Sequence, residues 1–274
     1  DGFFWEYMEI PQKNDDNALE MYTLQCRNHI LKPLAEKYGI DTSDEAIRAA
    51  VEQHNEVCRL IRAIGDFRKE ANPRVTGYEF HILTLVSYVA PKHLIVDKLR
   101  ETLEEIKTRE PDAADKYRAR VVFVGSEVDD VDVIRLVEES GAYVCADRFC
   151  YGSLPGRDEI ILNDEEDVVK QVCRQGRAQC PRYWDMAKMT GRRDYVADLA
   201  KEYGADGIIY EQMKFCDPWA YERMIGTIVL RDEHGYPVLA VDRPYSIGSS
   251  GQMRTRVQAF VESIEIKKIQ GGKK

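Results

Sequence analysis

Cys216 stands in Phe215-Cys216-Asp217-Pro218, directly after the apolar run Gly207-Ile208-Ile209-Tyr210 and its polar exit Glu211-Gln212-Met213-Lys214. A short run of β-branched residues is the pattern of a strand buried on both faces. Asp217 and Pro218 supply an N-cap and a first-turn proline for a helix. A cysteine between a buried strand and a helix N-terminus sits where parallel-sheet proteins place ligands. The helix dipole and free amides there favour a thiolate, so Cys216 is expected to be a metal ligand or a reactive thiol. Cys150 lies in a similar place, in Asp147-Arg148-Phe149-Cys150-Tyr151-Gly152 after the run Ala142-Tyr143-Val144-Cys145-Ala146.

The other cysteines fit other roles. Cys145 falls inside a strand and Cys173 inside a helix, both expected as packing. Cys180, before Pro181, lies in a connection and is a candidate third ligand. Cys26 with His29, and His54 with Cys58, have spacings that a zinc site between two helices would use. All four also lie on apolar stripes, where packing is the simpler role. Ser246-Ile247-Gly248-Ser249-Ser250-Gly251 has the glycines and the helix start of an anion-binding turn, and equally those of an ordinary loop. Neither a Walker loop nor a dinucleotide-binding fingerprint occurs.

The elements that must position these residues change character along the chain. Residues 1–119 read as mostly helical, with segments at 15–38, 42–72, 77–89 and 91–109 divided by Gly39, Asn72-Pro73 and Pro91. Before them, Gly2 to Pro11 reads as a strand with no partner, which suggests that a larger fold or a partner surrounds this start. From residue 120 to 266 strands alternate with helices: strands at 121–124, 142–146, 207–210 and 237–241, helices at 131–140, 164–176, 191–203, 218–230 and after 250. That alternation implies an α/β domain with a parallel sheet and right-handed crossovers. The loops at 125–130, 147–157, 211–217 and 242–251 then gather on one edge, and two of them carry Cys150 and Cys216. Residues 267–274 read as a basic tail.

Composition excludes several classes. The 274 residues carry 39 Lys plus Arg against 48 Asp plus Glu, a net charge of −9. An acidic chain without basic clusters is a poor nucleic-acid binder. No apolar run approaches the roughly 18 residues of a membrane span, and no signal peptide opens the sequence, so a cytoplasmic location is expected. Seven cysteines without a secreted framework spacing point to free thiols or metal ligands.

Several stretches, in order, resemble one family. They are Gly125-Ser126-Glu127, Glu138-Glu139-Ser140-Gly141-Ala142, Asp147 to Gly152, Ala205 to Ile209, Met213 to Pro218, Gly235 to Leu239 and Gly251 to Glu262. Together they are similar to the C-terminal domain of 2-hydroxyacyl-CoA dehydratase and benzoyl-CoA reductase subunits, over about residues 3–265. Trp219 to Arg223 and Asp242-Arg243-Pro244-Tyr245 incline the resemblance to the benzoyl-CoA reductase branch. It implies flavodoxin-like lobes, of which the N-terminal one is expected to be missing here. It also implies a [4Fe–4S] cluster held by three cysteines per subunit, with Cys150 and Cys216 at two matching positions and the third ligand in the absent lobe. Implied partners are an acyl-CoA substrate, a second and homologous catalytic chain, and an ATP-hydrolysing iron–sulfur activator that delivers one low-potential electron. In a reductase that electron initiates ring dearomatisation, and in a dehydratase it is recycled as the 2-hydroxyl leaves. A cluster-free scaffold subunit is the alternative of a different class.

Overall fold

A computed structural model describes residues 5–271, apart from 12, 14, 114–115, 154–157, 180–185 and 246–249. The first strand after the helices is β1 (Ala119–Val124), whose Val121, Val122, Phe123 and Val124 are all buried. It lies between β2 (Ala142–Arg148) and β3 (Gly207–Met213), and β4 (Val238–Arg243) pairs with β3. All the pairings are parallel and the order is β2-β1-β3-β4, as in a flavodoxin-like sheet. The chain steps from β1 outward to β2, then returns past β1 to β3. The strand direction of travel therefore reverses at β1/β3, which opens a crevice at their carboxyl ends.

Helices cover both faces, as a parallel sheet requires. Val121, Phe123 and Ile209 pack on one face against α6 (Val131–Glu139) and α10 (Ser250–Gly271). Val122, Val124, Ile208 and Tyr210 pack on the other against α8 (Met186–Glu202) and α9 (Asp217–Asp232). α10 continues to Gly271, so the basic end expected as a tail from residue 267 is helical over its first part.

The preceding helices are α1 (Asp16–Cys26), α2 (Lys32–Tyr38), α3 (Asp44–Asp66), α4 (Gly77–Val89) and α5 (Lys92–Thr108), with α7 (Val168–Gln179) later in the chain. A π-helical turn, Arg27–Leu31, joins α1 to α2. Gly39 ends α2 with φ +65°, a conformation that glycine adopts without steric cost. Ser43 caps α3, and Thr76 with Glu79 forms a capping box on α4. Val57, Ile61, Ile64, Phe80, Ile95 and Leu99 form the core of α3, α4 and α5.

Two polar contacts weld this helical layer to the sheet. Glu138 at the end of α6 accepts the Gly77 and Tyr78 amides at 2.8 and 3.1 Å, completing the α4 N-terminus. Arg68, 1% exposed, donates to Asp147 at 3.1 Å and lies 3.6 Å from the Phe80 ring centroid. The expected strand at residues 2–11 is not formed over its described part: residues 5–11 have no regular structure, and Trp5 and Tyr7 are exposed. Among the described residues no strand pairs with this segment, and its contacts are to side chains of α1 and the turn after it: the Glu9 amide donates to Gln25 and Glu6 meets His29.

Removing one member of a buried ion pair leaves the other charge desolvated. Arg68→Ala is expected to destabilise the chain by about 3–5 kcal/mol in chemical unfolding.

Candidate functional site: two cysteine loops at one sheet edge

Cys150 and Cys216 follow β2 and β3 by two and three residues, at the carboxyl edge of the sheet. Between them lies the loop after β1, and Ser126 in that loop touches both neighbours. Its carbonyl accepts the Cys150 amide at 3.3 Å, and its Oγ accepts the Met213 amide at 2.8 Å. The same hydroxyl donates to Glu211 Oε2 at 2.9 Å, and the Ser126 amide donates to that oxygen at 3.1 Å.

Glu211 is wholly buried, and its other oxygen lies 2.8 Å from Arg243 Nε. Burial pushes its carboxyl above the ordinary range, against the opposing pull of the Arg243 guanidinium and the Ser126 donors. Arg243 in turn donates to the Glu127 carbonyl and to Tyr245 O. One buried network thus spans the loops after β1, β3 and β4. Gly125 is required by it, because a Cβ there would stand 2.5 Å from the Glu211 carbonyl oxygen.

The Cys150 loop is pinned at further points. Asp147 accepts the Ser153 amide at 2.7 Å, and Tyr88 from α4 donates to Gly152 O at 2.9 Å. Cys150 itself is exposed. The Cys216 turn closes through its amide on Met213 O at 3.0 Å, with Phe215 at φ +70°. A phenylalanine in the left-handed region is strained, and this one is 98% exposed. Strain next to the candidate ligand is maintained by the turn and by the Lys214 amide bond to Arg243 O at 2.7 Å.

α9 begins at Asp217, so Cys216 is the N-cap that the sequence assigned to Asp217. The helix is anchored by a buried fork from Arg193 to Glu222, at 3.1 and 3.0 Å. The expectation of a thiolate at Cys216 is corrected. Burial raises its pKa, and Glu127, Glu211 and Asp217 add to that, outweighing the Trp219 amide, which lowers it. The free side chain is therefore a thiol, and a bound cation must displace its proton.

Cys145 is buried and donates to Val121 O at 3.3 Å, with its thiol pushed up to about 11 by burial. Cys173 is buried in α7. Cys180 and the turn at 246–249 lie outside the described residues. The zinc pattern divides differently from its spacing: Cys58 pairs with His54 at 3.3 Å, whereas His29 pairs with Glu6. Among the described residues no three Cys, His, Asp or Glu side chains converge as metal ligands. No described helix is long and apolar enough to cross a membrane.

Two cavities adjoin the cysteine loops. One of about 70 Å³ is lined by His54, Cys58, Thr84, Lys92 and the Gly152-Ser153 backbone side of the Cys150 loop. Another of about 210 Å³ is lined by Lys214, Asp242, Arg243 and Arg256, beside the Cys216 turn. Taken individually, Ser126, Glu211 and Arg243 match no catalytic motif. A glutamate and an arginine at the ends of otherwise apolar strands are the signal that marks them.

The family described as 2-hydroxyglutaryl-CoA dehydratase, D-component, matches residues 4–264, and the chain belongs to it. Among relatives, the (R)-phenyllactyl-CoA dehydratase beta subunit of Clostridium sporogenes is 24% identical, across 93% of this chain and 67% of its own length. A benzoyl-CoA reductase subunit of Thauera aromatica is 23% identical, across 97% of this chain and 68% of its own. The beta subunit of (R)-2-hydroxyglutaryl-CoA dehydratase from Acidaminococcus fermentans is 24% identical, across 94% and 68%. The chain spans about two thirds of the length of these relatives. Family members are thus subunits of acyl-CoA dehydratases and of a benzoyl-CoA reductase, and identities this close to one another do not separate the branches.

Ser126→Ala leaves the part-buried Met213 amide and the buried Glu211 carboxyl short of a partner. The expected loss is about 1–3 kcal/mol, measured by chemical denaturation. The neighbouring Gly125→Ala is expected to destabilise at least as much, because the colliding atom is backbone.

Proposed function

We propose that this chain is a subunit of an acyl-CoA dehydratase or reductase in which Cys150 and Cys216 hold a [4Fe–4S] cluster. The observation that carries the proposal is the Ser126–Glu211–Arg243 network, which fixes both cysteine loops at the crevice where parallel sheets bind ligands. Two thiols on backbone that cannot drift fit a cluster that needs thiolates in set positions. The remaining ligands would come from beyond the described residues or from other parts of the protein. When bound, the cluster supplies one low-potential electron to the thioester carbonyl of an acyl-CoA. The Trp219 amide would stabilise the Cys216 thiolate once its proton is displaced. Lys214 and Arg256 at the larger cavity would receive the phosphates of the coenzyme.

Dehydration of a 2-hydroxyacyl-CoA is the leading reaction, supported by the family match over residues 4–264. Ring reduction of benzoyl-CoA is the second, supported by the relative of that name. The residues that pointed to the reductase branch in the sequence have structural work: Trp219 is buried between Arg148 and Arg192, and Arg243 belongs to the Glu211 network. They argue for the fold and are neutral about the acyl group. A homologous second chain and an ATP-hydrolysing iron–sulfur activator complete the proposed machinery.

Anaerobic purification tests the assignment. Cys216→Ser and Cys150→Ser should each lose most of the iron and acid-labile sulfide while keeping the circular dichroism of the parent. A colourless parent protein would refute it in favour of a scaffold, and full iron in either variant would refute that cysteine as a ligand. In the reconstituted enzyme, Lys214→Ala should raise the KM for acyl-CoA about tenfold, the value of one charge-assisted hydrogen bond, with iron content unchanged. Product analysis with 2-hydroxyacyl-CoA and benzoyl-CoA then assigns the branch.

A further inference from the structure

The seam between α1 and α7 holds two thiols that the proposed function does not use. The helices lie side by side in opposite directions: Glu20 pairs with Lys170, and Arg27 further along α1's end pairs with Asp167, which precedes α7. The Arg177 guanidinium sits 5.4 Å from the Tyr22 ring centroid. Leu19, Val169 and Cys173 are buried at the centre of the seam, and Tyr22, Cys26, Leu31 and Ile47 pack against them. Within this apolar setting Cys26 packs against Cys173, and Met8 Sδ lies 3.9 Å from Cys26.

The two sulfurs are not equivalent. Cys26 is half-buried, whereas Cys173 is buried. The neighbouring Cys173 thiol holds the Cys26 thiol below its ordinary range, opposed by burial and helped by Tyr22. Cys173 moves upward, because it keeps the proton that Cys26 gives up. The π-turn begins at Arg27, immediately after Cys26, and such widened turns concentrate at functional positions. No third metal-binding side chain joins the pair among the described residues.

We propose that Cys26 and Cys173 are an oxidative modification site, converted to a disulfide by hydrogen peroxide. The Cys26 thiolate attacks one peroxide oxygen, the O–O bond breaks, and the leaving hydroxide takes a proton to become water. Cys26 is then a sulfenic acid. The Cys173 sulfur attacks the Cys26 sulfur, the S–O bond breaks and the S–S bond forms. The departing hydroxyl takes the Cys173 proton as a second water. Two thiols are oxidised and one peroxide is reduced to two waters. The new bond ties the first helix to α7 across the whole span from residue 26 to residue 173.

The test uses the full chain, exposed to hydrogen peroxide, alkylated and mapped by mass spectrometry without reduction. The expected product is a peptide pair joined through Cys26 and Cys173 that separates on adding dithiothreitol. In Cys173→Ser, dimedone should label Cys26; in Cys26→Ala, Cys173 should stay unlabelled. The exposed Cys150 reports that the oxidant acted. Finding Cys26 and Cys173 alkylated and unlinked while Cys150 is oxidised would overturn the proposal, as would dimedone on Cys173 in place of Cys26. The wild-type mapping decides the matter even if a variant fails to fold. It needs no iron, so its outcome is separate from that of the cluster assignment.

Discussion

The buried contact between Glu211 and its partners governs the functional edge of this protein. A carboxyl group with no exposure is tolerable only where donors surround it. Ser126 supplies a hydroxyl and an amide from the β1 loop, and Arg243 supplies its guanidinium from the end of β4. Because Ser126 stands in the β1 loop, Glu211 on β3 and Arg243 on β4, satisfying one side chain ties three strand ends together. Ser126 in turn accepts the amides of Cys150 and Met213. The cysteine positions are therefore consequences of a hydrogen-bond requirement deep in the sheet, and the surrounding apolar core provides the low dielectric that makes the requirement strict.

The helical layer contributes by stiffening the same edge from the opposite side. Arg68 reaches Asp147, the residue that also holds the Ser153 amide, while Tyr88 ties off Gly152. The Cys150 loop is thus caught between sheet and helices. The Cys216 turn has a different support, since it carries a strained Phe215 and leads directly into α9. Strain of about 1–3 kcal/mol persists only where neighbours over-determine the backbone. Here the neighbours are the Arg243 carbonyl and the Arg193–Glu222 fork that anchors α9.

Much of this is legible in the sequence. The β-branched runs at 121–124 and 207–210 give the parallel sheet, and Gly39, Ser43 and Pro91 punctuate the helices where the structure does. The positions of Cys150 and Cys216 beyond their strands follow from the alternation of elements. Periodicity carries no information on pair contacts between distant elements, so the Glu211–Arg243 and Arg68–Asp147 pairs and the Cys26–Cys173 contact stay hidden. The charge state of Cys216 is misread for a related reason. The helix terminus is visible locally, whereas the burial and the carboxylates of Glu127 and Glu211 that oppose it come from the fold. The N-terminal stretch has strand-forming residues but no strand beside it, and propensity yields to the missing partner.

The proposed cluster requires that the buried network present the sulfurs of Cys150 and Cys216 to a common centre. Treating the iron-free chain with a short reagent that fluoresces only when it bridges two thiols, followed by peptide mapping, tests that requirement most directly. The predicted product is a bridged peptide pair containing Cys150 and Cys216, distinct from any pair joined in the α1–α7 seam, and it is lost in Gly125→Ala. Recovery of both cysteines as separately modified peptides would contradict it.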